Sequence, residues 1–92
     1  MDNPLVDGKP ARVPVTRANI EDALLTITGL VTQYREQNKI TRADVARKLK
    51  TTPQALINRE HRGMRGLDVI VEYAESVGLD VAVVLTPRKA HP

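Results

Sequence analysis

The sequence contains no phenylalanine, tryptophan or cysteine, and Tyr34 and Tyr73 are its only aromatic residues. The hydrophobic core of these 92 residues must therefore be built mainly from Leu, Ile, Val and Ala side chains. Without cysteine, neither a disulfide nor a thiolate metal site can stabilise the fold, and this composition suits a reducing cytoplasm. A chain of this length is expected to form one small domain.

Long apolar runs are also missing, because the longest one extends only from Val81 to Leu85, far short of the ~20 residues that a membrane-spanning helix needs. The N-terminal residues are polar and contain proline, which is not expected of a signal peptide. Ser76 is the only serine, and His61 and His91 are the only histidines. Since they form no nucleophile and base pair and no metal-ligand set, we expect no enzyme, cofactor or bound metal.

Charge is distributed unevenly along the chain. Residues 35–65 contain nine basic and three acidic residues, which gives this stretch a net charge of +6. Residues 66–86 contain four acidic residues and no basic one, a net charge of −4. A basic region followed by an acidic one indicates a polyanionic partner, with an ordinary solvated surface as the alternative.

Residues 1–18 are predicted to be a flexible, mostly irregular arm, since prolines recur there without a helical period. The first helix is predicted to begin with Asn19 as its cap and to end near Asn38 in a left-handed conformation. Gly29 could allow a close helix crossing. Apolar residues at spacings of three and four predict the buried face of this helix: Ile20, Ala23, Leu24, Ile27, Leu30, Val31 and Tyr34.

Two threonines mark the starts of the next two helices. Thr41 has Asp44 at the capping-box position, and the second helix is predicted to run to about Lys50. Thr52 precedes Pro53, whose missing N–H costs nothing in a first helical turn. The predicted inward residues of both helices are Val45, Ala46, Leu49, Ala55 and Leu56, with the stem of Arg59. The predicted outward residues are Arg42, Arg47, Lys48, Gln54, Ile57, Asn58 and His61.

A fourth helix is predicted from about Leu67 to Val77, with Gly78 as its terminating glycine. Its predicted buried stripe is Leu67, Ile70, Val71, Ala74 and Val77, with Tyr73 beside it and Ser76 toward solvent. Residues 80–86 are rich in β-branched residues and predict a strand, and residues 87–92 a basic tail. The expected fold is mainly α, a four-helix domain over residues 19–79 with a C-terminal strand.

Over residues 20–79 the chain resembles a helix-turn-helix domain of the phage repressor and Cro type, also called Xre-like. The resemblance is carried by Ile-Thr-Arg-Ala-Asp-Val-Ala-Arg-Lys-Leu at 40–49 and Thr-Thr-Pro-Gln-Ala-Leu-Ile-Asn-Arg-Glu at 51–60. Family members typically carry an alanine where Ala46 stands, an aliphatic residue at Leu56 and a glutamate at Glu60. Gly63, Ala74, Gly78 and Leu79 also fit the family pattern. The chain departs from the pattern at three positions. Lys50 stands where many members have the turn glycine, Pro53 where a glutamine often opens the third helix, and Ile57 where a serine often lies in that helix.

The resemblance implies a sequence-specific regulator of transcription from a phage or bacterium, in which the third helix enters the major groove of double-stranded DNA. Repression by a homodimer is the function expected. Gln54 and Asn58 could pair with adenine edges and Ile57 could touch a thymine methyl. The implied DNA-binding residues are Arg42, Lys50, Thr52, Pro53, Gln54, Ile57, Asn58, His61, Arg62 and Arg65.

The predicted C-terminal strand needs a partner, because a lone strand leaves its backbone groups unpaired. Residues 11–15 of the same chain and the same strand of a second subunit are both candidates. The second is favoured because both faces of the strand are apolar, with Val81, Val83, Val84 and Leu85 as the expected dimer interface. Some antitoxins carry a similar extension, so binding to a toxin or other protein is the alternative function. The arm could serve such a partner or follow the DNA minor groove through Lys9, Arg12 and Arg17.

Overall fold

The computed structural model describes residues 3–88, so Met1, Asp2 and the end of the predicted basic tail, 89–92, lie outside the described residues. A short 3-10 helix, Pro4–Asp7, precedes four α-helices: α1 Ile20–Gln37, α2 Arg42–Lys48, α3 Pro53–Arg62 and α4 Leu67–Ser76. Residues 3–88 contain no strand. The prediction of a mainly α domain with four helices is confirmed. None of the helices in this part of the chain is long and apolar enough to cross a membrane.

The core lies where the four helices meet. Its most buried side chains include Val45 and Leu56, both predicted to face inward. Tyr73 and Met64 are equally central, with 1% and 2% of their surface exposed, although the sequence placed Tyr73 only beside the buried stripe and did not single out Met64. A chain without phenylalanine or tryptophan therefore fills its core partly with a tyrosine and a methionine.

Three side chains have the opposite burial from the one predicted. Ile20 and Leu67 are 50% and 56% exposed, because each is the first residue of its helix and lies at the open end of the apolar stripe. Ser76 was expected to face solvent and is buried, and its Oγ donates a hydrogen bond to the carbonyl oxygen of Tyr73 at 2.6 Å. This bond to its own helix satisfies the hydroxyl and makes burial of Ser76 possible.

Side-chain caps begin two of the helices as predicted. The Oγ1 atoms of Thr41 and Thr52 accept hydrogen bonds from the amides of Asp44 and Ala55, each at 3.1 Å. Asn19 does not cap α1, which corrects the prediction. Its Oδ1 accepts from the amide of Thr16 and its Nδ2 donates to the carbonyl of Pro14, so Asn19 fastens the arm to the start of α1 instead.

The helix ends place two lysines in a conformation that favours glycine. Lys39 has φ 56° and Lys50 has φ 55°, so Lys39, and not Asn38, is the left-handed residue after α1. After α2, Lys50 adopts this conformation and the helix ends at Lys48, two residues before the predicted end. Both ends, like that at Gly78, carry the paired backbone hydrogen bonds of a Schellman motif. A left-handed non-glycine residue costs roughly 1–2 kcal/mol.

Gly63 holds the loop between α3 and α4 against α1. It has φ 83°, which strains any other residue, and a Cβ atom there would lie 3.2 Å from the Cα of Leu25, a tight contact that would require a small shift of α1. The following amide, of Met64, donates to the Oγ1 of Thr28 at 2.8 Å. Gly29, which was expected to permit a close helix crossing, has no atom within 4 Å of such a Cβ and serves no close crossing.

The N-terminal segment is docked on the helical domain, and neither end of the described chain forms a strand. Asn3 is buried, and its Nδ2 donates to the carbonyl of Leu30 at 2.9 Å, which docks the 3-10 helix on α1. Sequence reasoning predicted no such anchor in the arm. No backbone hydrogen bond joins residues 11–15 to residues 80–86 within the described chain. Pairing of residues 80–86 with a second subunit stays a prediction.

Replacing Lys39 by glycine should stabilise the protein, because glycine adopts φ 56° without a Cβ clash. We expect Lys39→Gly to have a free energy of unfolding about 0.5–1 kcal/mol higher than Lys39→Ala, because relief of the ~1–2 kcal/mol strain is partly offset by the larger backbone entropy that glycine loses on folding. Urea unfolding followed by circular dichroism measures the difference. Equal stability of the two variants would show that this position is unstrained.

Candidate nucleic-acid interface

The helices α2 and α3 form a compact pair joined by the four residues 49–52. Leu49 is half-buried, Lys50 supplies the left-handed turn and Thr52 caps α3. The turn is therefore made without glycine. The two helices that it joins pack directly against each other.

One face of α3 is buried and the opposite face is open. Leu56 is fully buried and Glu60 is 9% exposed. The predicted outward residues Gln54, Asn58 and His61 are exposed and share the face that points away from the core, with Arg62 beside them. Ile57 is half-buried at the edge of this face, so it is less available than predicted.

Glu60 fixes the orientation of α3 through bonds to the other three helices. Its Oε2 accepts from the Nε of Arg35 in α1 at 3.1 Å, and its Oε1 accepts from the Nε of Arg42 in α2 at 2.8 Å. The hydroxyl of Tyr73 in α4 also donates to Oε2. Thr32 lies 2.9 Å from the same hydroxyl. We call these five residues, Thr32, Arg35, Arg42, Glu60 and Tyr73, the Glu60 cluster.

The Glu60 cluster keeps its carboxylate ionised. Burial by itself would raise the pKa of Glu60, but the hydrogen bonds from Tyr73 and Arg42 and the charge of Arg35 outweigh it and lower that pKa. Burial, together with the hydrogen bond to Glu60, raises the pKa of Tyr73 to about 12. The bond to Glu60 also raises the pKa of Arg42. At neutral pH the cluster therefore holds one carboxylate, two guanidinium groups and a neutral phenol.

Sequence reasoning identified Glu60 as a family position but found none of its partners. Arg35 follows buried Thr28 by seven residues and buried Val31 by four, so helical spacing placed it on the core face. Because arginine is charged, it was not included among the predicted buried residues. Tyr73 lies three residues after buried Ile70 and four before buried Val77, so helical spacing also places it on the buried face, where its hydroxyl meets Glu60.

Arg42, predicted as a phosphate ligand, is partly engaged inside the protein. Its side chain is 39% exposed, and its Nε is bonded to Glu60, so a substitution there would disturb the core as well as the surface. Two other basic residues of α2 are also engaged. Arg47 pairs with Asp44 at 2.9 Å, and the Nζ of Lys48 donates to the carbonyl of Ser76 at 3.2 Å.

The remaining predicted phosphate ligands are exposed. Lys50 and Arg62 have no acidic partner within 4 Å in residues 3–88. Arg65 lies 3.8 Å from Glu21, and both side chains are more than three-quarters exposed. Exposed pairs of this kind contribute little and exchange readily with other ions. Thr52 is exposed, but its hydroxyl is already the cap of α3.

The residues predicted to form the dimer interface are all exposed in the single chain. Val83 and Val84 are 64% and 62% exposed, Leu85 is 90% exposed and Val81 is 38% exposed. They line one wall of an open apolar cleft of about 710 Å³, whose other walls come from the arm, α1 and α4. Apolar side chains that lie exposed side by side in this way form a candidate interaction surface.

Comparisons with known proteins add no assignment, because no family model matches the chain and no curated protein or solved structure matches it significantly. Within the described residues, no group of three histidine, cysteine or acidic side chains is placed to hold a metal ion. The function must therefore be argued from the geometry of α3, the Glu60 cluster and the exposed C-terminal segment.

Replacing Tyr73 by phenylalanine should destabilise the protein by about 1–3 kcal/mol at neutral pH, because buried Glu60 loses a hydrogen bond. The pKa of Tyr73 is raised from 10 to about 12, so its contribution is full below pH 10 and is lost as the pH rises through 12. The free energy of unfolding of the wild type should therefore fall across this range, and that of Tyr73→Phe should fall less.

Urea unfolding at several pH values between 10 and 12 measures these slopes. Tyr34→Phe is the matched control, since Tyr34 lies outside the Glu60 cluster, and it should retain the slope of the wild type. Parallel slopes for the wild type and Tyr73→Phe would contradict the role assigned to the Tyr73 hydroxyl.

Proposed function

We propose that this chain is a sequence-specific regulator of transcription that binds double-stranded DNA in the cytoplasm by placing α3 in the major groove. The observation that carries this proposal is the division of α3 into two faces. Leu56 and Glu60 lock one face into the core, and the opposite face presents exposed polar side chains on a rigid helix. A rigid helix with an open polar face is what reading of base edges requires.

Two amides are the proposed readers of sequence. Gln54 and Asn58 are exposed and four residues apart, so they lie on the same face one helical turn from each other. Each can pair with an adenine edge, and such a bidentate contact discriminates by about 1–3 kcal/mol. His61 extends this face toward the end of α3. Ile57, at the edge, would contribute an apolar contact to a thymine methyl.

Most of the affinity for DNA would come from contacts between basic side chains and the phosphates of the DNA backbone. The face of α3 that bears Gln54, Asn58 and His61 is called the reading face. It is flanked by Lys50 in the turn, Arg62 at the end of α3 and Arg65 after it, and the first two of these cations have no acidic partner in the described structure. Arg42 is a weaker candidate, since its Nε is bonded to Glu60. Binding through these cations releases counterions and should fall steeply with salt.

We further propose a homodimer in which residues 80–86 of two subunits pair as strands. This pairing would bond the backbone of residues 80–86, which form no strand in the single chain, and would cover Val83, Val84 and Leu85. Two copies of α3 related by a twofold axis would then meet two half-sites. Action as a repressor is what the resemblance to the phage repressor and Cro type implies.

Binding to a toxin or another protein is the second candidate, and the apolar cleft beside residues 80–86 favours it. An antitoxin could use this cleft for its partner and still bind DNA through α3. Salt dependence separates the two activities, because DNA binding should weaken steeply with salt while an apolar contact to a folded partner should not.

Asn58→Ala should relax sequence preference, whereas Lys50→Gln should weaken binding to all sequences alike. A preferred site is first selected from random duplexes, and each variant is then measured by gel shift on that site and on an unrelated duplex. We expect Asn58→Ala to lose about 1–3 kcal/mol on the preferred site alone. Lys50→Gln should lower the salt slope by about 0.9. Failure to select any sequence, or variants that behave like the wild type, would refute the proposed reading face.

Removal of residues 80–92 should convert the protein from a dimer to a monomer, as measured by light scattering over a range of concentrations. Removal of residues 87–92 alone is the control, because it leaves the proposed strand and should leave the dimer intact. An unchanged oligomeric state after the longer deletion would show that residues 80–86 are not the dimer contact.

A further inference from the structure

Three arginines converge on a cleft beside the reading face of α3. The cleft has a volume of about 410 Å³ and lies between the end of α2, the C-terminal half of α3 and α4. Arg59 and Arg62 of α3 and Arg65 of the following loop line it. Arg59 was expected only to pack its stem inward, and it is half-buried at the cleft wall.

The charges of this cleft are not balanced inside the protein. Arg59 and Arg62 have no acidic group within 4 Å in residues 3–88, and Arg65 has only the exposed, 3.8 Å contact with Glu21. Glu72 of α4 is the one acidic residue in the cleft lining. The lining therefore has an excess of two positive charges, which favours an anionic occupant.

The remaining walls make the cleft suitable for an oxyanion. Leu49 and Val69 contribute apolar surface, which strengthens the attraction between charges because it displaces water. Guanidinium groups present forked N–H donors that match the oxygens of a phosphoryl group.

We propose that Arg59, Arg62 and Arg65 form a binding site for a phosphoryl oxyanion. Its source is either a phosphate of the DNA backbone beside α3 or a free phosphorylated small molecule. The DNA source rests on the proposed function, and the free source does not. Arg59 is the residue that defines the site, since it is the half-buried member of the three.

The test titrates the full chain with inorganic pyrophosphate by calorimetry and measures the salt slope of DNA binding in parallel. Arg59→Gln should weaken pyrophosphate binding about tenfold, since a charge-assisted bond is lost. Glu72→Gln should strengthen it about threefold, because a like-charged neighbour of the anion is removed. Arg47→Gln is the matched control, since Arg47 pairs with Asp44 on α2 and does not line the cleft. A gain of affinity in Glu72→Gln cannot come from loss of folding.

The outcomes separate the two sources and the two proposals. A salt slope lowered by about 0.9 in Arg59→Gln assigns the site to a DNA phosphate. An unchanged slope together with weakened pyrophosphate binding assigns it to a free anion. Pyrophosphate binding that depends on Arg59 in a chain that binds no DNA would support the site and refute the proposed function. Pyrophosphate binding and salt slopes that are the same in Arg59→Gln and Arg47→Gln would overturn the site.

Discussion

The buried carboxylate of Glu60 is the interaction on which the arrangement of the four helices depends. Transfer of an ion from water into a protein costs several kcal/mol, and donors from three other helices offset this cost: Arg35 from α1, Arg42 from α2 and Tyr73 from α4. Removing any one donor leaves a buried charge partly unpaired. Because hydrogen bonds are directional, these bonds hold α3 against the core and also determine its rotation about its own axis.

This rotation connects the core to the surface. Glu60 lies on the face of α3 opposite Asn58 and Gln54, so the cluster that fixes one face also fixes where the two amides point. The C-terminal segment is the opposite case, because Val83, Val84 and Leu85 are exposed and no strand holds them. A fixed α3 and an exposed C-terminal segment are what the proposed DNA-binding dimer requires.

Much of the fold followed from local sequence signals, and the missed features depend on distant residues. Thr41 and Thr52 were predicted as caps because capping involves residues three positions apart. Periodicity predicted that Leu56 faces inward. It shows which face of a helix is buried but not which polar groups bond to each other there, so the buried hydrogen bonds of Arg35 and Tyr73 were not predicted. The hydrogen bond from Asn3 to Leu30 joins residues 27 positions apart in the sequence, and no local sequence pattern predicts such a bond. For the candidate site, the exposed face of α3 was predicted, whereas the engagement of Arg42 with Glu60 was not.

An NMR titration of the isotope-labelled chain with the duplex selected as its preferred site tests whether α3 reads DNA. If it does, the largest amide shifts fall on the exposed face of α3, at Gln54, Asn58 and His61, and in the turn at Lys50. Amides on the acidic, exposed side of α4, near Glu75, should not move. Shifts confined to residues 80–88, or no shifts at all, would contradict the assignment of α3 as the DNA-reading helix.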